Sequence, residues 1–153
     1  MPVAVVEKSK VITELLNGTN VSFKTIIPLK HEFTRPKLLG TSLQLQFGIL
    51  IGITGDIKAR LVLMGDPSTF SLIAKSMFGM ELEGEMLVSF SGELGNMLAG
   101  SISSQIINSG IKTDITAPTI MQGNTKLVGY EKAIHLSAIF SEENKLELCL
   151  LLD

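Results

Sequence analysis

The stretch LQLQFGILIGI, residues 43–53, places an apolar side chain at every second position. Glutamines and glycines occupy most positions between them, and a period of two is typical of a half-buried β-strand. Residues 54–56, Thr-Gly-Asp, supply turn chemistry, and residues 57–63 alternate again. The two runs therefore predict an antiparallel hairpin at the centre of the fold.

The segment before this hairpin is predicted to be mostly helical. Residues 3–16 have largely helical apolar spacing, and Asn17-Gly18 is a typical C-terminal stop signal. Residues 28–40 contain two prolines and a glycine, which favour an irregular connection.

Two helices are expected directly after the hairpin. Asp66-Pro67 predicts a helix start, with the Asp66 side chain as cap acceptor and the proline in the first turn. This helix should end at Gly79. A longer helix is predicted over residues 85–108.

The C-terminal part of the chain is predicted to form strands. Residues 111–121 are rich in β-branched side chains but contain Pro118, so they suit an edge or bulged strand. Residues 133–140 and 145–152 predict a second hairpin. Helices and hairpins in separate blocks indicate an α+β fold, an antiparallel-rich sheet of two hairpins with three helices, in one domain over residues 1–153.

Composition excludes several functional classes. The chain has 153 residues, 45% of them hydrophobic, and a formal charge of −2, which argues against nucleic-acid binding. The longest apolar or glycine run, residues 47–53, is far shorter than the roughly 20 residues of a membrane span. The first residues show no secretion signal, so a cytoplasmic location is predicted.

The residue types that most often carry catalysis or metals are sparse. His31 lacks the second histidine of a zinc motif, and His135 has no acidic or cysteine partner near it in sequence, so both are interpreted as surface or structural. Cys149 is the only cysteine, which excludes a disulfide framework and predicts a buried thiol. The apolar run 148–152 suits either a dimer interface or a monomer core. Neither a phosphate loop nor a serine-nucleophile motif occurs.

The long helix carries a narrow polar stripe. At about 100° per residue, five positions fall within roughly 80° of one another, and they are Ser89, Glu93, Asn96, Gly100 and Ser103. By spacing alone this is an ordinary solvated face.

Three glycines in the same helix favour a functional interpretation. Each glycine in a helix interior costs about 0.5–1 kcal/mol relative to alanine. Gly100 borders the Glu93/Asn96 pair and would let another surface approach closely. Gly92 and Gly95 lie further round and are predicted to allow tight packing on the sheet or on another helix.

Several segments closely resemble the CheX proteins of the CheC/CheX/FliY phosphatase family of bacterial chemotaxis. They are GELGNMLAG (92–100), KTDITAPT (112–119), GITGDI (52–57), GMELEGEM (79–86) and FSEE (140–143). The resemblance covers essentially the whole chain. The family pattern is Asp or Ser, three residues, Glu, two residues, Asn, and a later Pro; Ser89, Glu93, Asn96 and Pro118 match it. One copy is found, which favours the single-site CheX form over CheC.

The resemblance implies dephosphorylation of the response regulator CheY, whose phosphate is carried on an aspartate. Asn96 would orient the attacking water, and Glu93 would align the regulator through a lysine. Ser89, Gly100 and Pro118 would support the site. The resemblance also implies a homodimer, no intrinsic cofactor, and Mg²⁺ on the regulator.

Two alternatives remain open at this level. The chain could be a non-enzymatic binding module for a phosphorylated regulator or a flagellar switch component, although the intact Glu93/Asn96 pair speaks against this. A small-ligand pocket is the weaker alternative, because the polar positions lie on one helix face and do not converge.

Overall fold

The computed structural model describes residues 8–153 and confirms the α+β architecture. The helices are α1 (Lys8–Ile26), α2 (Pro67–Phe78) and α3 (Gly84–Ile106), and a single 3-10 turn (Ile107–Ser109) follows α3. The strands are β1 (Glu32–Phe33), β2 (Lys37–Leu39), β3 (Leu43–Gly55), β4 (Ala59–Met64), β5 (Thr113–Ile115), β6 (Thr119–Leu127), β7 (Lys132–Ile139) and β8 (Lys145–Leu152). The predicted starting point of the first helix, Val3, lies outside the described residues.

All eight strands join one antiparallel sheet in the order β1-β7-β8-β4-β3-β5, with β2 also paired to β7 and β6 to β3. Both predicted hairpins, β3 with β4 and β7 with β8, are confirmed. They are joined because β4 pairs with β8 from Ala59 opposite Leu152 to Met64 opposite Glu147. Long-range pairing therefore ties the centre of the chain to its C-terminal strands.

The main core lies between the sheet and the three helices. Ile49 and Ile51 of β3 and Leu94 and Leu98 of α3 belong to this cluster, and each has at most 1% of its surface exposed. Burial of such aliphatic side chains stabilises the fold by roughly 1.5–3 kcal/mol each. α3 is thus fixed across the sheet while one of its faces stays in solvent.

The strict alternation of β3 does not mark a single face. Leu43 and Leu45 belong to a second apolar cluster, whereas Phe47 and the following odd-numbered residues belong to the main core. The register with β6 shifts between Leu45 and Phe47, where β6 accommodates an extra residue at Gly123 with φ 88°. The bulge bends the sheet, so one strand serves two apolar clusters.

The predicted stop at Asn17-Gly18 is wrong, because α1 continues to Ile26. A Cβ at Gly18 would lie 3.3 Å from Ile106 Cγ2, so this glycine is a contact between α1 and α3. Buried residues continue at helical spacing through Thr19 and Phe23. Thr19 Oγ1 donates to the Leu15 carbonyl at 2.7 Å, which lets a polar residue stay in the buried stripe.

The ends of the two helices after the hairpin agree with the sequence-based prediction, but the predicted N-cap of α2 at Asp66 does not. α2 is followed by Gly79, which has φ 78°, and the 3-10 turn after α3 is followed by Gly110, with φ 83°. Asp66 has the extended backbone of an N-cap, but its side chain makes no capping hydrogen bond. Instead its backbone carbonyl accepts from the Thr69 N–H at 2.9 Å.

Three segments contain more strand structure than the sequence indicated. The segment 28–40 contains β1 and β2, two short strands that pair with β7. Region 111–121 divides into β5 and β6 around Pro118, and both pair with β3. The extension of β6 to Leu127 was not anticipated, since its polar residues hide the strand pattern.

The apolar run 148–152 lies in the interior of this chain, in β8 between β7 and β4. Cys149 is fully buried, as predicted. Burial raises the pKa of the Cys149 thiol to about 12, and the nearby Glu147 carboxylate adds to the shift. The core interpretation of this run is therefore the correct one.

No helix within residues 8–153 has the combination of length and apolar character that crossing a membrane requires.

Candidate active site on helix α3

The inner face of α3 approaches the sheet through glycines. A Cβ at Gly95 would lie 2.8 Å from Ile49 Cγ2 and 3.1 Å from Ile51 Cδ1, which is too close for ordinary packing. At Gly92 the corresponding distance to Ile120 Cδ1 is 3.3 Å. The prediction that these two glycines allow tight packing on the sheet is confirmed.

The segment that carries Pro118 is held against β3 by reciprocal hydrogen bonds. The Gly52 N–H donates to Thr116 Oγ1 at 2.8 Å, and the Thr116 N–H donates to the Gly52 carbonyl at 2.9 Å. Asp56 forms a similar pair with Lys112, whose N–H donates to the Asp56 carboxylate at 2.8 Å. The sequence segments 52–57 and 112–119 are therefore docked to one another.

This anchored segment runs along α3. Ser103 Oγ donates to the Thr113 carbonyl at 3.0 Å and ties the helix to β5. The nearest neighbour of a Cβ at Gly100 would be Ile115 Cδ1 at 3.8 Å, and a Cβ at Gly92 would lie 3.8 Å from Pro118 Cγ. The strand β5 and the turn after it thus line the helix from Gly100 back to Gly92.

Asn96 lies midway along this boundary. Gly92, Asn96 and Gly100 are spaced four residues apart and form one ridge of the helix. Asn96 therefore has a glycine one turn before it and one turn after it, and its side chain is half-buried. Within residues 8–153, a Cβ at Gly100 would meet only Ile115, so this glycine leaves room beside the carboxamide, whereas the space at Gly92 is filled by Ile120.

Glu93 lies on the exposed side of the same ridge, one turn before Asn96. Within residues 8–153, neither side chain takes part in a hydrogen bond or an ion pair. An exposed carboxylate and a half-exposed carboxamide therefore stand beside each other without internal partners. Both are available to a molecule that approaches this face.

The other predicted site residues surround this pair. Ser89 is exposed one turn before Glu93, at the edge of a groove of about 720 Å³ that also involves Glu85 and Gln122. Glu93 and Asn96 lie outside the lining of this groove. The arrangement is an open helix face, which disfavours the small-ligand pocket.

Both histidines have structural surroundings. The His31 ring packs edge-on against Phe23 at a centroid distance of 4.6 Å, and its Nδ1 lies 2.9 Å from the Leu29 carbonyl. His135 has no acidic partner near it in sequence but gains one in the fold, where its Nε2 lies 2.9 Å from Glu147 Oε1. The partner is on the neighbouring strand β8, 12 residues away in sequence. In the described part of the chain, no group of three or more His, Cys, Asp or Glu side chains could hold a metal ion.

Sequence reasoning missed two features of the site. Thr116 fixes the turn before Pro118, and its role depends on a backbone contact with Gly52 that has no sequence signal. Met86 and Met97 are exposed on α3, and neither was predicted to contribute to the site. Their position seven residues before and four residues after Glu93 was the available signal.

Residues 47–140, more than half of the chain, match the family model described as chemotaxis phosphatase CheX. The chain belongs to the CheX family. The matched segment contains all of α3 and the anchored segment beside it. The family membership implied by the sequence motifs is confirmed.

Individual relatives agree with this assignment. The CheY-P phosphatase CheX of Thermotoga maritima is 26% identical over 143 residues, which cover 89% of this chain and 92% of the relative. The chemotaxis protein CheX of Vibrio vulnificus shares the fold, with a TM-score of 0.78, 19% identity, and coverage of 94% and 99% of the two chains. A CheX chain from the CheX-CheY-BeF3-Mg²⁺ complex of Borrelia burgdorferi has a TM-score of 0.73, 18% identity, and coverage of 92% and 96%.

Proposed function

We propose that this protein hydrolyses the aspartyl phosphate of a CheY-type response regulator in chemotaxis signalling. The observation that carries the proposal is the partner-free Glu93/Asn96 pair on the exposed ridge of α3, in a chain of the CheX family. The similarity to the CheY-P phosphatase CheX of Thermotoga maritima supports the choice of substrate. The proposal places this activity in one domain over residues 1–153.

The reaction requires little covalent chemistry from the enzyme. Water attacks phosphorus, the bond between phosphorus and the aspartyl oxygen breaks, and the products are a free carboxylate and inorganic phosphate. Phosphoryl transfer of this kind is accelerated mainly by positioning water in line and by stabilising the charge on the transferring group. An enzyme that contributes a single well-placed polar group can therefore be effective.

Asn96 is assigned the positioning of that water. A carboxamide does not titrate near neutral pH, so it orients a water molecule through its oxygen and nitrogen without acting as a base. The glutamine of GTPases acts in this way. Gly100, one turn after Asn96, supports the assignment, since it leaves space for a phosphorylated surface to reach the carboxamide.

Glu93 is assigned the alignment of the regulator. A carboxylate on an open helix face can pair with a lysine beside the phosphorylated aspartate. Since Glu93 has no ion-pair partner within residues 8–153, no internal contact must break before it binds. It would position the regulator and would not attack phosphorus.

Three further residues support the site in this proposal. Pro118 packs beside the ridge near Gly92, and Gly100 places no side chain at the other end of the ridge. Ser89, exposed one turn before Glu93, extends the polar stripe toward the start of the helix. The homodimer and the cytoplasmic location implied earlier stay predictions.

The proposal assigns Mg²⁺ to the regulator. The Borrelia burgdorferi complex contains CheX, CheY, BeF3 and Mg²⁺, which supports a metal-bound, phosphate-mimicking regulator as the form that is recognised. Mg²⁺ prefers several oxygen ligands in octahedral geometry, and the Glu93/Asn96 pair alone does not supply them. Magnesium would neutralise charge on the phosphoryl group from the regulator's side.

The test measures the decay of a phosphorylated CheY-type regulator with Mg²⁺, in the presence of the wild type or of Asn96→Ala. Faster decay with the wild type is expected, together with a loss of about 100-fold in turnover for the variant, which is typical of removing one oriented polar group. Binding of the variant to the regulator should change little. If the wild type binds the regulator but does not accelerate its phosphate loss, the phosphatase proposal is overturned and the non-enzymatic binding module is favoured.

A further inference from the structure

Exposed apolar side chains are concentrated around the polar ridge of α3. Within residues 8–153, nine large hydrophobic side chains are exposed, and four of them lie between positions 78 and 97. These four are Phe78, Met80, Met86 and Met97. Concentrations of exposed apolar surface beside polar groups are typical of protein interaction sites.

Two methionines lie on either side of Glu93. Met86 precedes it by seven residues and Met97 follows it by four, so all three project from the same side of the helix. The side chains are 64% and 37% exposed respectively. Along the helix axis, they are roughly 10 Å and 6 Å from Glu93.

Phe78 adds to this surface from α2. Its ring lies edge-to-face against Phe90 at a centroid distance of 5.7 Å, and Phe90 is four residues after Met86 on α3. Phe90 itself is buried, while Phe78 is 62% exposed. Phe78, Met86 and Met97 are therefore exposed apolar side chains near Phe90 and Glu93, and we call these three residues together the methionine surface.

We propose that the methionine surface is the apolar half of the docking site for the phosphorylated response regulator, and that it sets affinity and not the rate of hydrolysis. This inference rests on the proposed function. A stable protein interface covers about 800 Å² on each partner. A patch of that area centred on Glu93 is wide enough to include both methionines. A folded regulator that brings a lysine to Glu93 must therefore cover this surface.

The chemistry of the surface suits this partner. Methionine is flexible and adapts its shape to an opposing surface. Apolar neighbours also exclude water from Glu93 when the complex forms, and charge pairing is stronger where water is excluded. The regulator should accordingly present apolar side chains next to the basic residue that meets Glu93.

The test uses the double variant Met86→Gln/Met97→Gln in the full chain. Glutamine has a similar length and helix propensity, so the fold should be retained. The measured quantities are the Kd for the regulator with beryllofluoride and Mg²⁺, and the KM and kcat for regulator dephosphorylation. We expect Kd and KM to rise by about tenfold or more, as for interface hot spots, with kcat within about twofold of wild type.

The matched control is Val21→Gln/Val128→Gln. These valines are 44% and 56% exposed, which is similar to the exposure of the two methionines. They lie elsewhere in the fold, on α1 and after β6. Their replacement should leave Kd, KM and kcat unchanged. Thermal unfolding of both double variants should match that of the wild type.

The outcomes separate this inference from the proposed function. Unchanged Kd in the methionine variant would overturn the docking assignment, even if Asn96→Ala loses turnover. If the methionine variant binds the regulator more weakly but the wild type never accelerates phosphate loss, the phosphatase proposal would be overturned and the docking surface retained. A fall in kcat as large as the rise in KM would contradict the separation of affinity from rate, and a wild type that binds no regulator of its host would overturn both.

Discussion

The two faces of α3 carry glycine for different physical reasons. On the inner face, Gly95 lies where any Cβ would collide with Ile49 and Ile51, both of which are fully buried in β3. On the outer face, a Cβ at Gly100 would meet only Ile115 at 3.8 Å, which is ordinary contact. The inner glycine is required by the fold, whereas the outer glycine costs stability without any packing gain within the described chain.

This difference separates stability from function along a single helix. Inner-face substitutions should lower the free energy of unfolding, and outer-face substitutions should alter the handling of the regulator. The proposed roles of Glu93 and Asn96 depend on this division. Substitutions on the two faces should therefore have different consequences.

The largest effect on stability is expected for Gly95→Val. Its side chain would overlap Ile49 and Ile51, which cannot move because they are packed against the sheet and the helix. Overpacking of this kind should lower the free energy of unfolding by about 3 kcal/mol. Urea unfolding followed by circular dichroism measures the change, and wild-type stability would show that α3 does not need this close approach.

Glu93→Ala should lower kcat/KM for regulator dephosphorylation by about tenfold, equal to about 1.4 kcal/mol. The side chain is exposed and has no partner within residues 8–153, so the stability of the variant should equal that of the wild type. Because exposed charge pairs are screened by salt, the difference between wild type and variant should shrink at high ionic strength.

A suitable control for Glu93→Ala is Glu142→Ala, which removes an exposed carboxylate from the loop between β7 and β8. It should leave kcat/KM and its salt dependence close to wild type. Equal losses in the two variants would mean that overall charge, and not a specific pair at Glu93, attracts the regulator.

Local sequence patterns predicted most helices and strands. Features that depend on contacts between distant parts of the chain were not predicted. The alternation in β3 and the glycines after α2 and α3 carry their signals within a few residues, so those elements were predicted correctly. Gly18 was misread as a stop because its meaning lies in Ile106, far along the chain. Likewise, the pairing of His135 with Glu147 depends on the register of two strands.

The candidate site shows the same limit. Spacing on one helix placed Glu93, Asn96 and Gly100 on one stripe, and family resemblance added Pro118. Neither could reveal that Thr116 holds the turn before Pro118, since that depends on the backbone of Gly52 in another strand.

Thr116→Val should lower the free energy of unfolding by about 1 kcal/mol, because the Gly52 N–H loses its acceptor at 2.8 Å. Turnover should fall as well, since the turn that positions Pro118 loosens. Amide hydrogen exchange at Gly52 should become faster. Thr116→Ser keeps the hydroxyl and should restore both properties, and failure of this rescue would indicate that the threonine methyl group, which lies against Gly52, is the important part.

The smallest change, Gly100→Ala, tests the comparison most directly. Alanine in a helix interior is favoured over glycine by about 0.5–1 kcal/mol, and the site offers the new methyl group ordinary contact with Ile115, so the variant should be slightly more stable. The methyl group would also stand one turn from Asn96 on the same ridge, where the regulator must approach, so kcat/KM should fall. A gain in stability with a loss of turnover would show that this glycine serves the partner and not the fold. A gain in stability with full turnover would show that the regulator does not approach the ridge at Gly100.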